Sequence, residues 1–269
     1  MIWNKYRAGA GDHQLYDAVR GATKMLIPNS TAAESTNANG VTAFISDGFT
    51  AGSDINVNGG NSVAWGWRAG NSSGSSNSDG SLTSTVSVNT TAGFSICQWT
   101  GSGANATIGH GLGAVPKMYI VKNVSATNDW NVYHHKTGNE YRLFLNTTAA
   151  REDNASAWND TSPTSSVFSV GTNTNVNQSG STMIAYVFTE KKGFSKFGSY
   201  TGNGNADGAF IYTGFKPAFI IVKRSSATED WKMFDNKRPG YNLTDLRLKP
   251  NGNESEASSG GFDFTSNGL

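Results

Sequence analysis

The sequence predicts an all-β protein built from tandem antiparallel β-sandwich modules of jelly-roll or lectin-like kind, with one short helix near the N-terminus. Three observations predict it. Gly93-Phe94-Ser95 returns as Gly193-Phe194-Ser195, and Pro116, Lys122 and Trp130 return as Pro217, Lys223 and Trp231, so the module repeats about every 100 residues. Short β-branched and aromatic runs recur between turn residues, about seven strands to a module. Gly, Ser, Thr and Asn dominate, and charged residues make up only 15% of the chain, against roughly 25% in ordinary soluble domains.

Along the chain, residues 12–20 read as the one helix. Asp12 suits its cap, Leu15 and Val19 fall at i and i+4, and Gly21 follows its end. Strands are predicted at 42–45, 62–67, 85–88 and 93–99. In 62–67 the alternation puts Val63, Trp65 and Trp67 on one face. Residues 69–84 are rich in Gly, Ser and Asn and read as a joint or long loop. The next strands fall at 117–122, 130–134, 141–145, 167–170 and 182–189, then at 194–200, 209–212, 218–223, 231–234 and 243–248. MYIVK and FIIVK are continuous apolar runs, expected to be buried on both faces. Pro116 and Pro217 stand just before them, where a missing N–H does no harm.

The repeat sets the domain plan. Trp3-Asn4-Lys5 resembles Trp130-Asn131 and Trp231-Lys232, and residues 48–67 resemble residues 167–188. The expected organisation is a partial module with the helix over 1–68, a joint over 69–92, a complete sandwich over 93–192, and a second copy cut short over 193–269. Two half-modules then need their complements. Either the chain is a segment of a longer protein, or residues 1–67 and 193–269 complete each other within one chain or between subunits.

Composition and motifs exclude several functions. Net charge is +1 with no basic tract, which leaves electrostatic affinity for nucleic acid or membrane without a source. No stretch is long and apolar enough for a spanning helix. There is no P-loop, no G-x-G-x-x-G opening a helix, no H-E-x-x-H and no G-x-S-x-G, so no catalytic residue and no cofactor is assigned. Cys97 is alone and reads as a buried small hydrophobe. His134 and His135 point to opposite faces of a strand and share no metal. His110 has no histidine counterpart in the second copy. Asp54-Ile55-Asn56-Val57-Asn58-Gly59 begins like a calcium loop, but Trp65 stands where the closing acid belongs, and no metal is expected. Trp130 and Trp231 recur in phase and are assigned, with Pro116 and Pro217, to the core of the repeat. Trp65, Trp67 and Trp158 are the candidates for exposed platforms on which sugar rings would stack.

Three segments carry a resemblance: residues 193–236, beginning GFSKFGSYTGNG and running through YTGFKPAFIIVKR to DWKMFDN; the stretch SDGFTAG…NVNGGNSVAWGWRAG; and GHGLGAVPKMYIVKN. Together they resemble a domain found, often in tandem, in structural proteins of marine tailed phages, tail-fibre-like proteins among them. The resemblance implies a place on the virion surface and offers no catalytic residues. The expected function is non-enzymatic: a tail fibre, spike or head appendage that binds host-surface polysaccharide. The alternative is a decoration or scaffold protein that binds other virion proteins, and a glycan depolymerase ranks third. Expected partners are further copies of the chain, a trimer by analogy with fibre-like appendages, and other virion proteins.

Overall fold

The computed structural model describes residues 1–56, 60–70, 73–239 and 242–269. Its architecture is all-β and antiparallel. One sheet has five strands and another eight, with four two-stranded sheets beside them. A β-hairpin stands at the centre of each of three units. The first pairs Ile2–Tyr6 with Gln14–Asp17. The second pairs Met118–Asn123 with Asn131–His134. The third pairs Phe219–Val222 with Lys232–Asp235. Their registers coincide: Trp3 lies opposite Leu15, Ile120 opposite Val132, and Ile221 opposite Met233.

This register corrects one alignment. Trp3 belongs to the first strand of its hairpin, where it matches Ile120 and Ile221. The position of Trp130 and Trp231 is filled by His13. An asparagine marks the equivalence. Asn29 Oδ1 accepts from His13 N at 2.8 Å and its Nδ2 donates to Asp12 at 2.7 Å. Asn146 does the same for Trp130 and Asp129, and Asn251 for Trp231 and Asp230. An amide side chain holds both a donor and an acceptor, so one residue ties each loop to its hairpin.

The expected helix over 12–20 is a strand, Gln14–Asp17, followed by a turn. The i, i+4 pair loses to alternation across the hairpin: Leu15 faces the central core and Tyr16 the outer one. Helix is confined, among the described residues, to single turns at Ala155–Trp158 and Thr174–Asn177.

Each unit docks on the loop of the unit before it by the same bonds. In the second unit, Lys122 Nζ donates to Thr31 O at 2.8 Å, Asn128 N donates to the same oxygen at 3.0 Å, and Trp130 Nε1 donates to Ile27 O at 3.1 Å. In the third, Lys223 Nζ and Glu229 N donate to Thr148 O, and Trp231 Nε1 donates to Phe144 O at 2.7 Å. The first unit closes the cycle onto the third. Lys5 Nζ and Gly11 N donate to Asn253 O, and His13 Nε2 donates to Lys249 O at 2.9 Å. Return bonds match as well, from Glu34 N to Val124 O, Arg151 N to Ser225 O and Glu256 N to Arg7 O. The chain is therefore a closed pseudo-threefold ring, and residues 1–7 meet residues 249–256 within one polypeptide.

Strand alternation divides the cores. Met1 and Trp3, Met118 and Ile120, and Phe219 and Ile221 turn to a shared central core with Leu26, Leu143, Leu248, Trp130 and Trp231. Tyr119, Val121 and Tyr133 turn the other way. There they form the sandwich core of the second unit with Trp99, Trp158 and Phe168. Met118–Asn123 is thus buried on both faces, whereas Phe219–Val222 is only half-buried. Pro116 and Pro217 are buried, and so are Trp130 and Trp231. The strand predicted over 85–88 is observed as Ser84–Asn89, and the stretch read as a joint adds Ser75–Asn77 beside it in the eight-stranded sheet.

His13 is fully buried, accepts from Trp3 Nε1 at Nδ1 (2.8 Å) and donates from Nε2, so the fold holds it neutral. Burial, and secondarily the Lys5 charge, lower its pKa from 6.5 to about 3 against the opposing pull of the Lys249 carbonyl. Between these values the unfolded chain takes up a proton that the fold refuses, so this part of the stability is full above pH 6.5 and is lost as pH falls. Melting temperatures measured by circular dichroism should drop between about pH 7 and pH 5, and should drop less steeply in His13→Asn. A flat wild-type profile would contradict the assignment.

Candidate functional site

The seams between units concentrate the charged side chains. In the first unit the turn after the hairpin folds Arg20 back on Asp17. Asp17 Oδ1 accepts from Val19 N and Arg20 N at 2.9 Å, and Arg20 Nε donates to Oδ2 at 2.5 Å. Arg20 then reaches Leu15 O and Glu34, the latter at 3.0 Å. The third unit repeats the arrangement with Asp235, Arg238, Met233 O and Glu256. Arg7 adds a two-point contact to Glu256 across the closing seam. Burial acts to raise the Asp17 and Asp235 pKa values, but the adjacent guanidiniums and turn N–H groups outweigh it and hold both low.

The fourth member of each cluster arrives from the next unit. Ser62–Gly66 lies beside Ile2–Tyr6 as a third strand, and Thr182–Phe188 lies beside Met118–Asn123. Trp65 and Tyr186 occupy matching places, opposite Trp3 and Ile120. Trp65 Nε1 donates to Asp235 at 3.1 Å, and Tyr186 Oη donates to Asp17 at 2.7 Å. Shallow polar clefts open beside both clusters, one lined by Arg20, Glu34, Gln98, Ser125 and Thr182, the other by Arg7, Asn61, Ser255 and Glu256. Their carboxylates are already paired with arginine, so what they offer a ligand is hydrogen bonding more than net charge.

The second unit breaks the pattern. His134, Thr137 and Arg151 stand where the others have Asp, Arg and Glu. In the third unit, no strand lies beside Phe219–Val222 except Lys232–Asp235 among the described residues. The other two units carry their third strand on that edge. The strand predicted over 194–200 is also absent apart from a bridge between Lys191 and Ser195. Its counterpart, Phe94–Thr100, is laddered on both sides, by Ser84–Asn89 and by Thr182–Phe188, and neither equivalent neighbour pairs with 194–200 among the described residues. Phe194 and Tyr200 are consequently 66% and 48% exposed, where Phe94 and Trp99 are buried.

The three tryptophans nominated as sugar platforms lie elsewhere than expected. Trp158 is fully buried and donates to Tyr141 O at 3.1 Å. Trp65 is spent on Asp235 and lies under Arg238. Trp67 is half-buried, edge-on to Phe188 and Phe219. Alternation located the shared face of Trp65 and Trp67 correctly, but that face is the inner one. The open aromatic rings are instead Phe194, Tyr200, Phe210 and Tyr212.

The remaining candidates are structural. His110 is buried between Leu112 N and Thr164 O. His134 and His135 bond separately, to Lys136 N and Phe197 O. Cys97 is buried, and burial pushes its thiol up to about 12. Val57, Asn58 and Gly59 of the calcium-like stretch lie outside the described residues. Among the described residues no three His, Cys, Asp or Glu side chains gather as metal ligands, and no helix is long and apolar enough to cross a membrane.

A family model described as a domain of unknown function (DUF7483) matches residues 1–269. No curated protein and no solved structure matches.

Removing one partner of a buried ion pair strands the other. Asp17→Ala should therefore cost about 3–5 kcal/mol in urea unfolding. Glu152→Gln, which breaks the more exposed pair with Arg142, should cost no more than about 1 kcal/mol. Equal losses would refute the ranking.

Proposed function

Starting from the fact that the chain belongs to the DUF7483 family over its whole length, we propose that it is a non-enzymatic structural module of a phage virion, a decoration or scaffold element held by other virion proteins. The observation that carries this reading is the closed ring, in which side chains of each unit are bonded to the loop of its neighbour. The ring's ionisable clusters are consumed by holding units together, and its open aromatic rings, Phe194, Tyr200, Phe210 and Tyr212, all lie in the third unit. An exposed apolar patch beside an unpaired strand is a surface for protein contact. The virion location rests on the resemblance of the repeat to phage structural domains.

A second reading, adhesion to host-surface polysaccharide, is favoured by the two matching polar clefts at the seams. Uncharged hydroxyl groups suit their hydrogen-bonding linings. Depolymerase activity has no support beyond the presence of carboxylates, and those of the seam clusters are paired with arginines.

Immunogold labelling of phage particles that encode the chain, together with a glycan array and a reducing-end assay on host polysaccharide, tests these readings. The expected result is labelled particles, a blank array and no sugar release. Unlabelled particles would overturn the virion assignment. Reproducible array binding that is lost in Gln98→Ala would replace scaffold by adhesion.

A further inference from the structure

Away from the seams, one end of the second unit gathers lysines from three segments. Lys117 stands just before Met118–Asn123, and His135 N donates to its carbonyl at 2.9 Å. Lys136 follows in the turn. His135 Nε2 donates to Phe197 O at 3.0 Å, which ties that turn to the segment carrying Lys191, Lys192 and Lys196. Burial lowers the His135 pKa; the Phe197 carbonyl and Glu190 act against it, and the Lys117 and Lys136 charges act with it. Glu190 is the carboxylate among these lysines, and it already accepts from Lys196 Nζ at 2.8 Å and Phe197 N at 3.3 Å. Burial acts to raise its pKa, but those bonds and the Lys196 and Lys117 charges outweigh it and hold it low.

Among the described residues, the ammonium groups of Lys117, Lys136, Lys191 and Lys192 make no ion pair and no hydrogen bond, a state they share with Lys216 and Lys237 alone of the lysines. The repeat does not demand this patch. Ala218 and Asn236 take the places of Lys117 and His135 in the third unit, and Ala18 and Val19 those of His135 and Lys136 in the first. Like charges side by side repel, and an anionic partner offsets that cost. The patch is also bounded. Glu140, Asp153 and Asp160, all exposed, meet at the other end of the turn: Asn154 N donates to Glu140 O, Tyr141 lies opposite Asp153, and Asn139 donates to Asp160 O. A nucleic acid or acidic polysaccharide, charged along its whole length, is repelled there, whereas a short acidic segment need not reach it. Lysines are moreover point charges, without the arginine fork that reads phosphates and bases.

We propose that Lys117, Lys136, Lys191 and Lys192 form a docking face for a short segment, rich in Asp and Glu, of a neighbouring virion protein. The partner's carboxylates pair with ammonium groups that the fold leaves unpaired, and the face lies on one unit of the three. No basic run in the sequence announces it, because its lysines come from separate segments. It rests on the structural-module reading and names the partner's chemistry.

The test uses the intact chain and a fluorescein-labelled oligoglutamate peptide, with anisotropy measuring affinity. Saturable binding is expected, weakening as salt rises. Acetylation of the unaltered chain, read by mass spectrometry, should be slowed by the peptide at these four lysines. The combined variant Lys117→Gln, Lys136→Gln, Lys191→Gln, Lys192→Gln should bind about tenfold or more weakly. A control with the same net charge, Lys24→Gln, Lys216→Gln, Lys232→Gln, Lys237→Gln, should stay within about twofold of the wild type, because screening confines the effect of distant charges. Absent binding, unslowed acetylation at the four lysines, or equal losses in the two variants would overturn the proposal. So would tighter binding of a DNA oligonucleotide or an oligogalacturonate of matched charge, because the occupant would then be a nucleic acid or a polysaccharide. A peptide failure alongside labelled particles would sink this inference and leave the virion reading standing.

Discussion

The fold depends on a bond between a side chain and a loop carbonyl, made at every seam. A lysine, buried in the first two units and half-buried in the third, and a tryptophan or histidine from one unit cap carbonyls in the loop of the unit before it. Loop carbonyls buried without partners would be costly, and lysines buried without acceptors more so. Burial lowers the Lys122 pKa to about 8, with the Asp129 charge acting against it, and Lys5 and Lys223 shift the same way. Each unit therefore solves a polar problem for its neighbour. Closure of the first unit onto the third leaves no seam unserved, and the central apolar core forms inside that frame.

Part of this was legible in the residues. Continuous apolar runs marked Met118–Asn123 and Phe219–Val222, and alternation marked Ser62–Gly66. The recurrent Trp130 and Trp231, with their prolines, marked the core. The first unit was harder to read. Its key aromatic is His13, its spacing to the second unit is 117 residues while that between second and third is 101, and Leu15 and Val19 imitate a helix. Only the bonding pattern of Asn29 with Asp12 and His13 exposes the equivalence. The misplaced tryptophans have a different cause. A period-two pattern tells which residues share a face and is silent on which face is wet. The strand expected over 194–200 has the right residues but lacks the neighbour that would complete its ladder.

The candidate site was the least legible part. Asp17-x-x-Arg20 and Asp235-x-x-Arg238 are four-residue patterns with nothing distinctive about them, and their acids Glu34 and Glu256 lie at unequal distances along the chain. What unites them is a turn in which arginine folds back on aspartate, together with an aromatic donor from the adjacent unit. That donor, Trp65 in one case and Tyr186 in the other, comes from a residue pair with no obvious chemical kinship. Both have a ring that reaches the carboxylate and ends in a hydrogen-bond donor, and the site uses only that shared property.

The odd member of the ring, with His134, Thr137 and Arg151 in place of the acid–guanidinium set, has an effect at the scale of an assembly. A body with three equal sides can be seated by a neighbour in any of three rotational settings, and a lattice built from it would mix them. Here the second unit differs from the other two in charge, so a neighbour that reads it accepts a single setting. The asymmetry that spoils the internal repeat therefore also gives the ring a direction, by which any neighbour that reads it would be held in one orientation.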